Sequence, residues 1–144
     1  MNNPSSSGKI SFMRILISVG ADQTALLIPS NNGNIITIPA GQNQLDAAAA
    51  ARMGTEPFLC RAQLRQGGAA ARAVAPYYLE ALCSLFCQVR AALEPILQRV
   101  QELDIKLHWA ELSGLESLAK HCLSEPGCLI NVQAFPAQAP GAQS

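Results

Sequence analysis

Residues 77–93, YYLEALCSLFCQVRAAL, constrain the fold of this chain more than any other stretch. Pro76 suits the first position of a helix, where a missing N–H costs nothing. Wound as an α-helix from there to Leu93, the segment places Glu80, Ser84 and Gln88 on one narrow stripe. The rest of the circumference is Tyr77, Leu79, Leu82, Cys83, Leu85, Phe86, Val89 and Ala92. A helix that is apolar nearly all round must be covered on more than one side. Pro95 clashes with the carbonyl four residues back, so a kink or restart is expected there, with residues 95–103 continuing beyond it.

Cover for such a helix comes from its own chain or from a second one. The other helices read as short, and one is mostly alanine. An uncovered stripe of this size exceeds what a monomer normally exposes, and a two-fold helix-against-helix contact closes it with the fewest parts. The sequence therefore predicts a homodimer, with Tyr78, Leu82, Leu85, Phe86 and Val89 at the interface.

The remaining elements are read from period and punctuation. Residues 10–19, 24–28 and 35–38 are β-rich runs, separated by Gly20-Ala21-Asp22 and by a segment containing Asn32-Gly33, a strong hairpin signal. They predict a three-stranded antiparallel meander. Asn43 reads as a helix cap with Asp46 facing the first-turn amides, over a helix from Gln44 to Met53 that Gly54 ends. Phe58, Cys60, Ala62 and Leu64 alternate with Leu59, Arg61, Gln63 and Arg65, which predicts a half-buried strand over 58–65. Ile105, Leu107 and Trp109 alternate with Lys106 and His108 as a further strand. Ser113 to Glu116 fits a capping box before a helix from Gly114 to about Leu123. Residues 128–135 read as the last strand, completing a βαβ unit.

The expected order is βββ-α-β-α-β-α-β. The expected class is α+β, with mixed α/β as its neighbour, in a single domain over residues 9–135 flanked by loose tails at 1–8 and 136–144. The chain has 144 residues, enough to bury about two-thirds of its surface on folding. Hydrophobic residues make up 49% and charged ones 14%, which excludes a disordered chain. No signal peptide or membrane-spanning run is read, and the cysteine count is odd. This predicts a cytoplasmic protein with reduced, mostly buried thiols.

Chemistry is sparsely marked. Cys83 and Cys87 share a helix face but lack the paired partners of a structural zinc site. A thiol nucleophile would need Cys60, Cys122 or Cys128 beside His108 or His121. No phosphate-cradling or two-carboxylate motif occurs. No catalytic residue, cofactor or metal site is assigned. Net charge is zero, yet residues 1–79 hold six basic and three acidic side chains and residues 80–144 hold four and seven. Arg61, Arg65 and Arg72 have no acidic residue among them, so they are the candidate surface for an anionic partner. With no aromatic interleaved, stacking on single-stranded nucleic acid lacks a platform.

These observations point to a small protein-binding module of adaptor, chaperone or inhibitor type, working as a homodimer with an unidentified protein partner. The alternatives are a thiol-dependent enzyme or small-ligand binder, and a nucleic-acid-binding accessory protein that uses the arginines.

Overall fold

A computed structural model describes residues 10–28, 34–109 and 115–135. In chain order the elements are strands β1 (Met13–Val19), β2 (Thr24–Ile28) and β3 (Asn34–Ile38), helices α1 (Gln42–Met53), α2 (Pro57–Gln66) and α3 (Gly68–Leu97), strand β4 (Glu102–His108), helix α4 (Leu115–Cys122) and strand β5 (Leu129–Phe135). The Asn32-Gly33 turn, the Ser113-Gly114 cap and the expected tails at 1–8 and 136–144 lie outside the described residues.

The fold is mixed α/β around a mixed five-stranded sheet of order β3-β2-β1-β4-β5. The first three strands pair antiparallel. β4 then pairs parallel with β1, and β5 parallel with β4. The sheet is thus one mixed surface rather than a meander plus a separate unit. Its side chains alternate. Ile15, Ile17, Leu26, Leu103, Ile105 and Leu107 are buried, while Arg14, Asp104, Lys106 and His108 point to the opposite face. Along that second face Arg14 and Lys106 flank Asp104, at 3.0 and 4.0 Å. The helix side of the sheet is therefore apolar and covered, while the outer face is mixed, with Leu16, Leu27, Ile35, Leu129 and Phe135 beside the charged groups.

Two expectations about the helices are corrected. Residues 58–65 form helix α2, not a strand, so the order is βββ-α-α-α-β-α-β. Pro57 occupies its first turn. The stretch contains no β-branched residue, and its buried pair Cys60 and Leu64 is spaced one turn apart, which fits a 3.6-residue period as well as a two-residue one.

The second correction concerns α3, which starts at Gly68 and runs 30 residues through Pro76 and Pro95. Ala73, Pro76, Glu80, Ser84, Gln88, Ala91 and Pro95 are among its exposed residues and follow one another at helical spacing. Both prolines therefore sit on the stripe facing solvent, where water can satisfy the carbonyls that their missing N–H groups leave behind.

The dimer premise fails at the same helix. Tyr78, Leu82, Leu85, Phe86 and Val89 are each at most 2% exposed within the single chain. They belong to one core cluster with the inner sheet face and with Leu45, Ala49, Cys60, Leu64, Leu115 and Ala119 of the other helices. The short helices supply the cover that seemed lacking. Ala49 and Ala50 on α1 are small enough to bring its backbone close against α3.

The start of α1 is tied to the β1–β2 turn. The Gln42 and Asn43 amides donate to the Gly20 and Ala21 carbonyls at 2.7 and 2.8 Å. A Cβ on Gly41 would lie 2.4 Å from the Gly20 oxygen, so only glycine fits the crossing. Asn43 is not the cap. Gly41 holds that place, its N–H donating to Gln44 Oε1 at 2.7 Å, while the Asn43 side-chain Nδ2 donates to Asp22 Oδ1 at 2.8 Å.

Candidate functional site

Helix α2 lies on α1 and α3 and anchors through Cys60 and Leu64. Its opposite side carries Phe58 and Leu59, which are 67% and 43% exposed. Phe58, Ala62 and Arg65 follow one another at i, i+4 and i+7 and so share a face. With Asn43 and Asp46 of α1, and with Pro57 and Arg61, they line an open cleft of about 650 Å³ between the two helices.

The floor of this cleft is a polar network. Asp46 does not face the helix amides as the sequence suggested. It is buried, and its Oδ1 accepts hydrogen bonds from the Tyr78 hydroxyl at 2.5 Å and from the Gln42 side-chain amide at 2.9 Å. The Arg61 guanidinium donates to Oδ2 at 3.4 Å. The buried Trp109 indole N–H donates to Gln42 Oε1, and its ring lies 6.5 Å from that of Tyr78. A buried carboxylate is costly unless its oxygens are satisfied. Here three donors do so, one of them the Arg61 cation, and through Gln42 and Trp109 the network joins α1, α2, α3 and the residue after β4. Burial, then the hydrogen bond to Asp46, hold the Tyr78 phenol well above its usual range.

Of the three candidate arginines, the structure brings Arg61 and Arg65 together on the cleft and leaves Arg72, exposed near the start of α3, outside its lining. Arg61 is divided between the floor and the cleft, its side chain 20% exposed. Arg65 stands exposed at the rim. Sequence reasoning also misplaced Phe58, assigned to the inner face of a strand. The i, i+4, i+7 spacing of Phe58, Ala62 and Arg65 was the signal that would have found it.

The thiol alternative finds little geometry. Cys60 is buried, its Sγ donating to Met53 Sδ at 3.7 Å, and burial followed by the nearby Asp46 charge pushes the thiol up. A protonated, enclosed thiol is a poor nucleophile. The His108 ring lies 5.5 Å from that of Phe135, tilted against it on the outer face of the sheet, and His121 is exposed near the end of α4. Cys60 is the one buried thiol; Cys83, Cys122 and Cys128 are half-buried and Cys87 is exposed, against the expectation of mostly buried thiols. Among the described residues no group of three His, Cys, Asp or Glu side chains is placed to hold a metal ion. No described helix is long and apolar enough to cross a membrane.

No protein-family model matches the chain, and no curated protein matches it in sequence. Solved structures do resemble it. One is the ethanolamine utilization protein EutJ from Carboxydothermus hydrogenoformans, with a TM-score of 0.66, 13% identity and 86% of this chain covered. Another is a chain of the PilM-PilN type IV pilus biogenesis complex, with a TM-score of 0.58, 17% identity and 94% covered. At these identities the likeness is one of fold. This chain spans 44% and 41% of the two neighbours' lengths, less than half of either.

Proposed function

We propose that this chain is a protein-binding module whose docking surface is the α1/α2 cleft, and that its partner presents an acidic segment carrying one large apolar side chain. The observation that carries this reading is Phe58, 67% exposed on the wall of an open cleft that also holds Arg61 and Arg65. An aromatic ring flanked by arginines, with a rigid helix beneath, is the composition of a binding hot spot. The positive rim steers an acidic partner, and desolvation of the ring supplies affinity. The likeness to a chain of the PilM-PilN complex adds that a protein of this fold is found assembled with another protein. A second copy of this chain is not proposed as the partner, because the five residues expected at a dimer interface are used in the core.

The test is site-specific photocrosslinking in the native host. A benzophenone side chain in place of Phe58 is expected to give a discrete protein adduct. The same group in place of exposed Lys120 on α4 should not. Arg65→Glu should abolish the adduct without lowering the melting temperature. An adduct that ignores the charge reversal, or one formed equally from both positions, would remove the cleft from consideration. Crosslinking to RNA that weakens steeply with salt would favour the nucleic-acid reading instead.

A further inference from the structure

Three of the five cysteines gather where α3 packs on α4. Cys83 and Cys87 lie one turn apart on α3, and Cys122 is the last residue of α4. The Cys83 and Cys122 Sγ atoms are 3.5 Å apart although 39 residues separate them in the chain. Both are half-buried, so small oxidants reach them, while exposed Cys87 stands one turn further along α3. The sequence pattern read Cys83 and Cys87 as helix packing and offered Cys122 only a histidine, and the proposed docking cleft does not include these thiols.

We propose that Cys83 and Cys122 are a redox modification site that closes to a disulfide when a hydroperoxide reaches the α3/α4 seam. Bond formation needs the sulfurs to approach from 3.5 Å to about 2.05 Å. Burial, together with the neighbouring Cys83 and Cys87 thiols, pushes the Cys122 thiol up to about 11 and keeps it protonated. In the proposed step Cys83 is the first sulfur to react. Its thiolate sulfur attacks the peroxide, the O–O bond breaks, and the departing alkoxide or hydroxide takes a proton. This leaves a sulfenic acid on Cys83. The Cys122 sulfur then attacks that sulfur, its S–H proton passes to the hydroxyl, the S–O bond breaks and water departs. Overall, two thiols are oxidised by two electrons and one peroxide is reduced to an alcohol, or water, plus water. The resulting bridge pins α4 to α3 and closes a long loop in the unfolded chain, where such a constraint has most effect.

The test uses the full purified chain treated with stoichiometric hydrogen peroxide. Once the treated chain is denatured, two of its five thiols should be unreactive to maleimide, and peptide mapping should find the Cys83 and Cys122 peptides joined. The melting temperature should rise by roughly 10 °C, and dithiothreitol should reverse the change. Cys87→Ala should keep the bridge, whereas Cys83→Ala and Cys122→Ala should each abolish it. If either variant fails to fold, the mapped bridge in the unsubstituted chain decides. Five reactive thiols after treatment would overturn the proposal. So would sulfinic acid on Cys83 without a bridge, a Cys83–Cys87 bridge, or dimers linked through Cys87.

Discussion

Helices α2 and α3 are both rich in apolar residues, but they use them in opposite ways. α3 turns Tyr78, Leu82, Leu85, Phe86, Val89 and Leu93 inward and leaves a solvent stripe of alanine, proline and short polar groups. α2 spends Cys60 and Leu64 on the core and leaves Phe58 and Leu59 in water. The more apolar helix is thus fully accounted for by its own chain, and the less apolar one has the surplus. Apolar content alone does not mark an interface; what remains after packing does.

Substitution separates the two roles. Phe86→Ala on α3 should cost about 3–5 kcal/mol, the usual penalty for emptying a packed aromatic site, read as a shift in urea midpoint. Phe58→Ala on α2 should move that midpoint by less than about 0.5 kcal/mol, while abolishing capture of the partner identified by the crosslink. Equal losses would place Phe58 in the core and erase the contrast.

The two helices are coupled through Asp46, which Arg61 of α2 and Tyr78 of α3 both contact. Asp46→Ala strands these donors and the Gln42 amide, and should cost about 2–4 kcal/mol. A loss below about 1 kcal/mol would mean that water satisfies the floor of the cleft and that the helices stand independently.

Tyr78→Phe sharpens this point through pH. The folded phenol is held above its unfolded value of 10.0, so its contribution is complete below pH 10 and fades as pH rises further, because the unfolded chain then releases a proton that the folded chain keeps. At pH 8 the variant should be less stable by about 1–2 kcal/mol. Between pH 10 and 11 the unsubstituted chain should lose up to about 1.4 kcal/mol that the variant does not. The gap should therefore narrow in parallel urea titrations. A constant gap would show that the phenol ionises alike in both states.

The smallest effect belongs to the rim. Arg65→Glu is exposed and should alter stability by less than about 0.5 kcal/mol, so its consequence should appear in partner capture alone. A substantial loss of melting temperature would tie Arg65 into the fold.

The comparison also shows what was legible in the chain. The three N-terminal strands announced themselves because their turns carry glycine and their faces alternate. The βαβ stretch did so through Pro126-Gly127 and the alternation of 105–109. α2 was misread because Phe58 to Arg65 satisfies two periods at once, and only the fold selects one. The start of α3 was missed because Gly67-Gly68 reads as a break and Pro76 as a beginning; a proline inside a helix is tolerable only if its side faces water, which the sequence does not state. The dimer inference required knowing how much cover α1, α2 and α4 provide, a sum over distant elements. Arg61 and Arg65 were found from charge alone. Asp46 was not, since its role rests on Tyr78 and Arg61, 32 and 15 residues further along.

The corner where α1 begins has a kinetic consequence. Gly41 is wedged against Gly20, the adjacent amides of Gln42 and Asn43 are held by Gly20 and Ala21, and Gln42 reaches Trp109, 67 residues away. None of these contacts is local, so each requires long loops to close before it returns any energy. The corner is therefore expected to lock after the sheet and α3 have met, as a latch on the finished molecule. Weakening it should speed unfolding and leave the folding rate nearly untouched, which stopped-flow measurement of both rates checks.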